Sequence, residues 1–326
     1  MRNGVLGEPS TDIGQALRAA SEPDVVVWIE LTPAELPPVA ERLGLHLHAV
    51  EDATKPRKEL EFGQRTKLDR YPTHVFLYLY RTSLGQDGVL QLDDIAVFAS
   101  PRVVVCVHEI GVLAHEDLAA RWAEHPELVK HGSAGLLYGL LDLVVDSHLQ
   151  TVDSISDRVD DMEELLFDGA DDIDDDPRVL QRRGYATRKS LVRLRRVAQP
   201  MRELVGGIMR SEEDDSTPVD TAMMPYYQDV YDHVLRVNDS IEGLRDLLTT
   251  IYETRLAMAD HTLNTVMKKL TGWAAIIAVI TAVTGFYGQN VPYPGFLRPW
   301  GFWTSTFVWV GMSAGLFFFL RRRRWI

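Results

Sequence analysis

The sequence is short of cysteine, and its first residues lack a long apolar run. Cys106 is the one cysteine among 326 residues, which excludes a disulfide within a single chain. It lies in the β-branched run Val103–Val107, so we expect a buried, unreactive thiol rather than a metal ligand. Met1–Ser21 contains no apolar core of a signal peptide, and we therefore expect the N-terminal part to stay in the cytosol.

Sequence patterns typical of catalysis are also missing. The chain has no glycine-rich phosphate loop and no recognisable pair of nucleophile and base. His108-Glu109 resembles the start of a zinc-binding His-Glu-x-x-His sequence, but Val112 stands where the second histidine is needed. We therefore predict that the protein is not an enzyme.

Two runs near the C-terminus contain no charged residue, namely Leu270–Phe286 and Gly301–Leu320. Each approaches the roughly 20 residues that cross the hydrocarbon core of a bilayer as a helix. The pattern predicts a hairpin of two transmembrane helices, divided into a first span, an outer loop, a second span and a basic tail over residues 270–287, 288–300, 301–320 and 321–326.

Basic residues flank this predicted hairpin on one side. Lys268 and Lys269 precede the first span, and the loop between the spans holds one basic residue, Arg298. The second span is followed by four arginines, Arg321, Arg322, Arg323 and Arg324. Because loops rich in lysine and arginine stay in the cytoplasm, we expect a multi-pass protein of the inner (plasma) membrane with both termini cytoplasmic. The six flanking residues would form a basic collar at the cytosolic membrane edge.

The charge of the chain is distributed unevenly. Of its 34 basic and 47 acidic residues, five basic and no acidic ones lie in residues 271–326. Residues 1–270 therefore hold 29 basic and 47 acidic residues, a formal charge of −18. An acidic cytosolic part attracts cations and argues against nucleic acid as a partner.

The N-terminal part reads as an α/β domain over residues 1–133, followed by cytosolic antiparallel helices over 134–223. A helix over Pro33–Leu43 is predicted, because Thr32 and Glu35 have the spacing of a capping box and Gly44 can end it. Short runs rich in β-branched and aromatic residues predict strands near 24–29, 75–80, 95–99 and 102–108.

The longest periodic pattern predicts one helix from Met224 through Phe286, on the order of 90 Å long. Its first part, 224–269, would be a stalk that continues into the first span. Apolar residues recur there at alternating spacings of four and three, which is a heptad seam and offers a contact face between subunits. They are Val230, Val234, Val237, Ile241, Leu244, Leu248 and Ile251.

The sequence around the predicted outer loop carries a resemblance. Tyr287-Gly288-Gln289-Asn290 follows the first span, and the tail Arg321–Ile326 ends in Trp325 and an aliphatic residue. Together with the two spans, these features resemble the CorA family of divalent-cation channels, whose signature is Tyr-Gly-Met-Asn. The resemblance implies an α/β N-terminal cytosolic domain, a long α-helical stalk and two C-terminal transmembrane helices, assembled in the bilayer as a homo-pentameric funnel.

The resemblance also implies roles for individual residues. Tyr287, Gly288, Gln289 and Asn290 would form the selectivity filter. Glu253 falls where the family has a regulatory acid, and Asp93 and Asp94 are candidate partners in regulation by intracellular cation. Residues at helical spacing at the end of the stalk and on the first span would line the pore, namely Asn264, Met267, Leu270, Ala274, Ala278 and Thr281.

Three functions fit these patterns. The first is a channel for Mg²⁺ uptake, with Co²⁺ or Ni²⁺ as further ions, gated by intracellular cation. The second is a proton-coupled Zn²⁺ transporter of the same superfamily, because Gln289 is more polar than the methionine it replaces. The third is a membrane-anchored cation sensor that conducts nothing.

Overall fold

The computed structural model of the chain describes residues 7, 10, 12–22, 25–55, 65–124, 126–168, 177–210, 221–289 and 292–326. The chain divides into two compact units, Met1–Thr249 and Thr250–Ile326. The first unit is an α/β domain with long helices, and the second is a helical hairpin. The predicted boundaries at residues 133, 223 and 269 follow changes in sequence pattern and stay predictions.

The first unit contains one five-stranded sheet in the order β1-β5-β4-β3-β2. β1 pairs with β5 in parallel, and the other neighbouring strands pair in antiparallel fashion. The strands are β1 Val27–Leu31, β2 Lys67–Arg70, β3 Val75–Leu84, β4 Leu90–Ala99 and β5 Val103–Val107. Cys106 is buried in β5, where burial raises the pKa of its thiol well above the usual value.

The predicted strands are present, but β3 and β4 are longer than the sequence pattern indicated. β3 continues past Tyr80 because Thr82 is satisfied inside the protein: its N–H donates to Ser147 Oγ at 3.1 Å. β4 begins before Ile95 with polar residues, and Asp93 lies opposite Arg81 in the register. Such polar positions depend on partners from distant sequence, which an apolar pattern does not reveal.

The described part of the first unit also has five short helices, α1 Ile13–Ala19, α2 Leu36–Leu43, α3 Leu47–Thr54, α4 His115–Glu124 and α5 Pro126–Val129. The helix Leu36–Leu43 begins three residues later than predicted. The reason is that the Glu35 carboxylate accepts hydrogen bonds from Thr32 N at 2.9 Å and from Thr32 Oγ1 at 2.7 Å, in the turn that precedes the helix. It ends at Gly44, whose φ of 64° favours glycine. Of the five short helices, α1 contacts β1, α2 contacts α3, and α4 and α5 contact the long helix Ser133–Asp168.

Long helices complete the fold. α6 and α7 pack against the sheet, and their apolar residues share one core with β3, β4 and β5. Tyr227, fully buried at the start of α8, donates its hydroxyl to the Ala134 carbonyl at 2.9 Å. The long helices are α6 Ser133–Asp168, α7 Pro177–Met209, α8 Met224–Tyr287 and α9 Pro299–Arg322. The predicted continuous helix from 224 to 286 is confirmed.

The heptad seam does not have the role predicted for it. From Val230 through Leu248 its residues are buried within the single chain, with Ile241 fully inaccessible and Leu244 7% exposed. Val230 and Val234 join the core formed with α6 and α7, and Glu242 pairs with Arg195 of α7 at 2.9 Å. The seam is therefore used for packing inside the chain and is not free to bind another subunit.

The second unit is an antiparallel hairpin of the end of α8 and α9. Gly272 of α8 lies against Leu320 and Ile326, and the Trp273 and Phe317 rings are 6.3 Å apart. Both helices are long and apolar enough to cross a membrane. The most apolar 18-residue stretch is only 17% buried in α8 and 6% buried in α9, whereas the core helix of a soluble protein is mostly buried. The structure therefore supports the predicted pair of spans.

Candidate cation pathway and cation-binding groups

The predicted selectivity filter lies at the end of α8. Gly288 N donates to Thr284 O at 2.9 Å, so it still caps the helix, and Gln289 follows as an exposed residue. Asn290 lies outside the described residues. A Cβ on Gly288 would stand 3.1 Å from Thr284 O. Because Gly288 does not adopt the left-handed conformation, its small size matters more here than its backbone freedom.

Aromatic contacts hold the first residue of this signature. The Tyr287 ring meets the Tyr293 ring edge-on at 5.0 Å, and Tyr293 in turn meets Phe296 at 5.4 Å. Tyr287 is half-buried, whereas Gln289 is exposed. Tyr287 therefore packs the loop against the helix end, and the polar amide of Gln289 is the part available to an ion or its water shell.

The six predicted pore-lining residues share an exposed face of α8. The side of α8 that packs on α9 contains the buried residues Gly272 and Ile276. Among the predicted residues, Met267 is 58% exposed and Leu270 62% exposed. The others on this face, also exposed, are Asn264, Ala274, Ala278 and Thr281. Within the second unit this face is left uncovered.

The predicted basic collar lies at one end of the hairpin. The contact of Gly272 with Leu320 and Ile326 brings the segment after Lys268 and Lys269 next to the end of α9. All four arginines of the tail are exposed at that end. The cationic groups predicted to share one side of the membrane therefore lie at the same end of the unit.

The three predicted regulatory acids lie on two different elements of the chain, β4 and α8. Asp94 accepts a hydrogen bond from the Tyr78 hydroxyl at 3.0 Å, and Asp93 stands opposite Arg81 on the neighbouring strand. Glu253 is exposed on α8 in the second unit, whereas both aspartates belong to the first. Their role in regulation stays a prediction.

A different group of metal-ligating side chains emerges from the first unit. Among the residues that the structure describes, Asp142, Asp146 and His233 form the one group of three whose ligand atoms lie within 4.8 Å of one another. Arg121 of α4 forms ion pairs with both carboxylates. This group was not predicted from the sequence. The available signal was the spacing of four between Asp142 and Asp146 in the apolar first half of α6, whereas His233 comes from a distant helix.

Comparison with known proteins decides the family. The model of a family described as CorA-like Mg2+ transporter protein matches residues 23–322. The chain belongs to this family. The CorA fold is supported by the solved structure of the complete CorA magnesium transporter from Methanocaldococcus jannaschii. That structure is 20% identical, with a TM-score of 0.73 over 94% of this chain and 93% of that one.

Curated relatives within the CorA family differ in the ion that their names give. A cobalt/magnesium transport protein CorA from Thermotoga maritima is 25% identical over 97% of this chain and 88% of its own length. The zinc transport protein ZntB from Pectobacterium carotovorum is 24% identical over 72% of this chain and 69% of its own length. The family is therefore shown, and the choice among its ions is a separate question.

Proposed function

We propose that this chain is one subunit of a homo-pentameric channel that carries Mg²⁺ inward across the inner (plasma) membrane, with Co²⁺ and Ni²⁺ as further ions. The observation that carries this proposal is the exposed face of α8 from Asn264 to Thr281. This face has a polar residue at each end and apolar residues between them, and α9 does not pack against it. A membrane protein of the CorA family with such a face has a surface suited to line a shared pathway.

Several chains are needed to build the pathway. Two helices cannot enclose a pore, so copies must surround a common axis. With the heptad seam buried inside the chain, the contacts fall to exposed apolar residues of α8 beyond it. Leu256, Leu263 and Met267 follow one another at spacings of seven and four and are each more than half exposed. Helices with this spacing pack side by side, which favours an assembly around the part of α8 just before the first span.

The filter would select hydrated ions by hydrogen bonding. Mg²⁺ holds its water shell tightly and loses it reluctantly. A ring of Asn290 side chains would accept hydrogen bonds from those waters through neutral amide oxygens, without the strong binding of carboxylates. Gln289, exposed next to it, would add a second ring of amides. Because ions are exchanged and not held, weak neutral ligands suit conduction.

The gate would lie below the filter. Met267 and Leu270 form the apolar part of the exposed face, and a narrow apolar ring in a pore blocks ions by excluding water. Intracellular cations would close this ring by bridging carboxylates of the acidic first unit, with Glu253, Asp93 and Asp94 as the predicted participants. Without the cation, the carboxylates of neighbouring subunits would repel one another. The acidic first units of neighbouring subunits would then separate, and the ring would open.

A second candidate is a proton-coupled Zn²⁺ transporter with the same fold. Two observations favour it: the similarity to a relative named as a zinc transport protein, and Gln289 in place of the methionine of the family signature. This candidate predicts flux that follows a proton gradient. A third, the non-conducting sensor, predicts binding of cations without any flux.

Ion uptake into liposomes that contain the purified full-length chain tests the proposal. Uptake of Mg²⁺, Co²⁺, Ni²⁺ and Zn²⁺ is measured with and without a proton gradient. We expect Mg²⁺ uptake that ignores the gradient, is abolished in Asn290→Ala and is retained in Asn238→Ala. Asn238 is a matched control because it lies on α8 in the first unit and donates to its own helix at Val234 O. Zinc uptake driven by protons would replace the proposal with the second candidate, and folded oligomers without flux would leave the sensor.

A further inference from the structure

An ion-paired cluster joins α4, α6 and the first part of α8 inside the first unit. Asp142 and Asp146 lie one turn apart on α6, and the two terminal nitrogens of the Arg121 guanidinium each contact a different one of these carboxylates. His233 of α8 completes the group. Asp229, one turn before His233, has a carboxylate oxygen 4.0 Å from His233 Nε2. The cluster therefore gathers three carboxylates, one imidazole and one guanidinium.

The cluster is partly shielded from solvent, which makes its charge balance matter. The side chain of Asp142 is 18% exposed, that of His233 25%, that of Arg121 28% and that of Asp146 32%, whereas that of Asp229 is 59% exposed. Like charges one helical turn apart repel each other, and shielding from water strengthens that repulsion. Asp142 and Asp146 therefore need a cation between them, and a planar guanidinium with two separate N–H edges suits two carboxylates at once.

The same three ligand groups also suit a divalent ion. Carboxylate oxygens and an imidazole nitrogen are ligands for first-row divalent metals, and Mg²⁺ accepts the carboxylates with waters in its other positions. His233 Nδ1 is shielded and has no hydrogen-bond partner among the described side chains. A cavity of about 50 Å³ lined by Arg121, Trp122 and Asp142 adjoins the group and is large enough for water.

We infer that Arg121 is a built-in counter-ion that fills the place of a divalent cation between Asp142, Asp146 and His233. A metal ion and the guanidinium repel each other and use the same carboxylates, so an ion binds here only when Arg121 leaves. The first unit is thus held together at this point without any ion. In regulation by intracellular cation, Arg121 would set the cation concentration at which a metal ion enters the cluster. This regulatory role rests on the proposed function, whereas the competition between Arg121 and a metal ion does not.

The competition is tested by isothermal titration of Mg²⁺, and separately of Co²⁺, into the EDTA-treated full-length protein in detergent. We expect Arg121→Gln to bind at least tenfold more tightly than the unchanged protein, because the place between the carboxylates is vacated. The gain should disappear in the double variant Arg121→Gln with Asp142→Asn. Arg195→Gln is the matched control, because it removes an arginine ion pair to Glu242, which belongs to no group of three metal-ligating side chains in the described part of the chain. The affinity of this variant should equal that of the unchanged protein.

Thermal unfolding of the same proteins gives a second readout. Arg121→Gln should unfold at lower temperature in EDTA and regain its stability with Mg²⁺ or Co²⁺, whereas the double variant should not depend on either ion. Unchanged affinity in Arg121→Gln, a gain that survives Asp142→Asn, or a variant that neither ion stabilises would each overturn the inference. None of these results depends on flux into liposomes, so the inference and the proposed function can fail separately.

Discussion

Ile326 packs directly over Gly272. A Cβ added to Gly272 would stand 3.0 Å from Ile326 Cδ1 and Cγ1 and 3.6 Å from Leu320 Cδ1. Ile326 reaches this place because the chain reverses after α9. Trp325 N donates to Leu320 O at 3.0 Å, and Arg324 N donates to Arg321 O at 3.1 Å while Arg324 has a φ of 57°. These two bonds are those of a Schellman motif, built on arginine in place of the usual glycine.

Replacing Gly272 with leucine should therefore destabilise the hairpin by about 1–3 kcal/mol, the usual cost of overpacking. The new side chain would displace Ile326 and Leu320. Gly243→Leu is the control, because nothing lies within 4 Å of a Cβ at that position on the same helix. Thermal unfolding in detergent measures both. Adding Ile326→Ala to Gly272→Leu should restore part of the loss, and a loss that Ile326→Ala leaves unchanged would contradict this packing.

His148 makes the stability of the first unit depend on pH. It is fully buried on α6, where burial lowers its pKa to about 4 although its Nε2 donates to Tyr80 O at 2.8 Å. In the unfolded chain the imidazole has its ordinary pKa of 6.5, so the unfolded state binds the proton first as the pH falls. The contribution of the neutral, buried His148 to the free energy of unfolding is complete above pH 6.5 and is lost as the pH falls from 6.5 to about 4. It amounts to about 3 kcal/mol.

The pH effect is measured by denaturant unfolding of the unchanged protein and of His148→Gln at pH 7 and at pH 4.5. His148→Gln keeps a donor for the Tyr80 carbonyl but cannot take up the proton, so its stability should fall less at pH 4.5. His48→Gln, which changes an imidazole whose side chain is 80% exposed, should behave like the unchanged protein. Equal pH dependence in all three proteins would refute the role of His148.

Tyr227 provides a test of the junction between α8 and α6. Its fully buried hydroxyl donates to the Ala134 carbonyl at 2.9 Å. Tyr227→Phe removes the donor and leaves the ring, so a loss of about 1–2 kcal/mol in the free energy of unfolding is expected. Tyr185→Phe makes the same change on a side chain that is 70% exposed and should cost nothing measurable. Equal stabilities of the two variants would show that the buried hydrogen bond adds nothing.

Gln289→Met tests the departure from the family signature. It replaces an exposed amide with an apolar side chain of similar length. If Gln289 forms a second amide ring in the filter, the variant should carry less Zn²⁺, Co²⁺ and Ni²⁺ relative to Mg²⁺ in the liposome assay. Gln228→Met, on α8 in the first unit, is the matched control and should leave the ratios unchanged. An unaltered ratio in Gln289→Met would assign Gln289 to packing and not to selection.

The long elements of the fold were predictable because their signals are local. The charge-free runs, the basic flanks and the periodicity from 224 to 286 each repeat over many residues, so α8 and the hairpin follow from the order of apolar residues alone. Four of the five strands were predicted for the same reason, with bounds too short where polar residues such as Thr82 and Asp93 depend on distant partners. The polar strand β2, Lys67–Arg70, was not predicted.

The sequence by itself determined the membrane hairpin, the long helix and the resemblance to the CorA family. Only the tertiary structure decided which partner each face receives. The heptad seam is buried by the chain's own packing, so it is not the free contact surface that the sequence predicted. Arg121, Asp142 and His233 lie far apart along the chain and meet only because α4, α6 and α8 pack together. Periodicity shows that a face is apolar or charged, but the element that covers it is chosen by the packing of the whole unit.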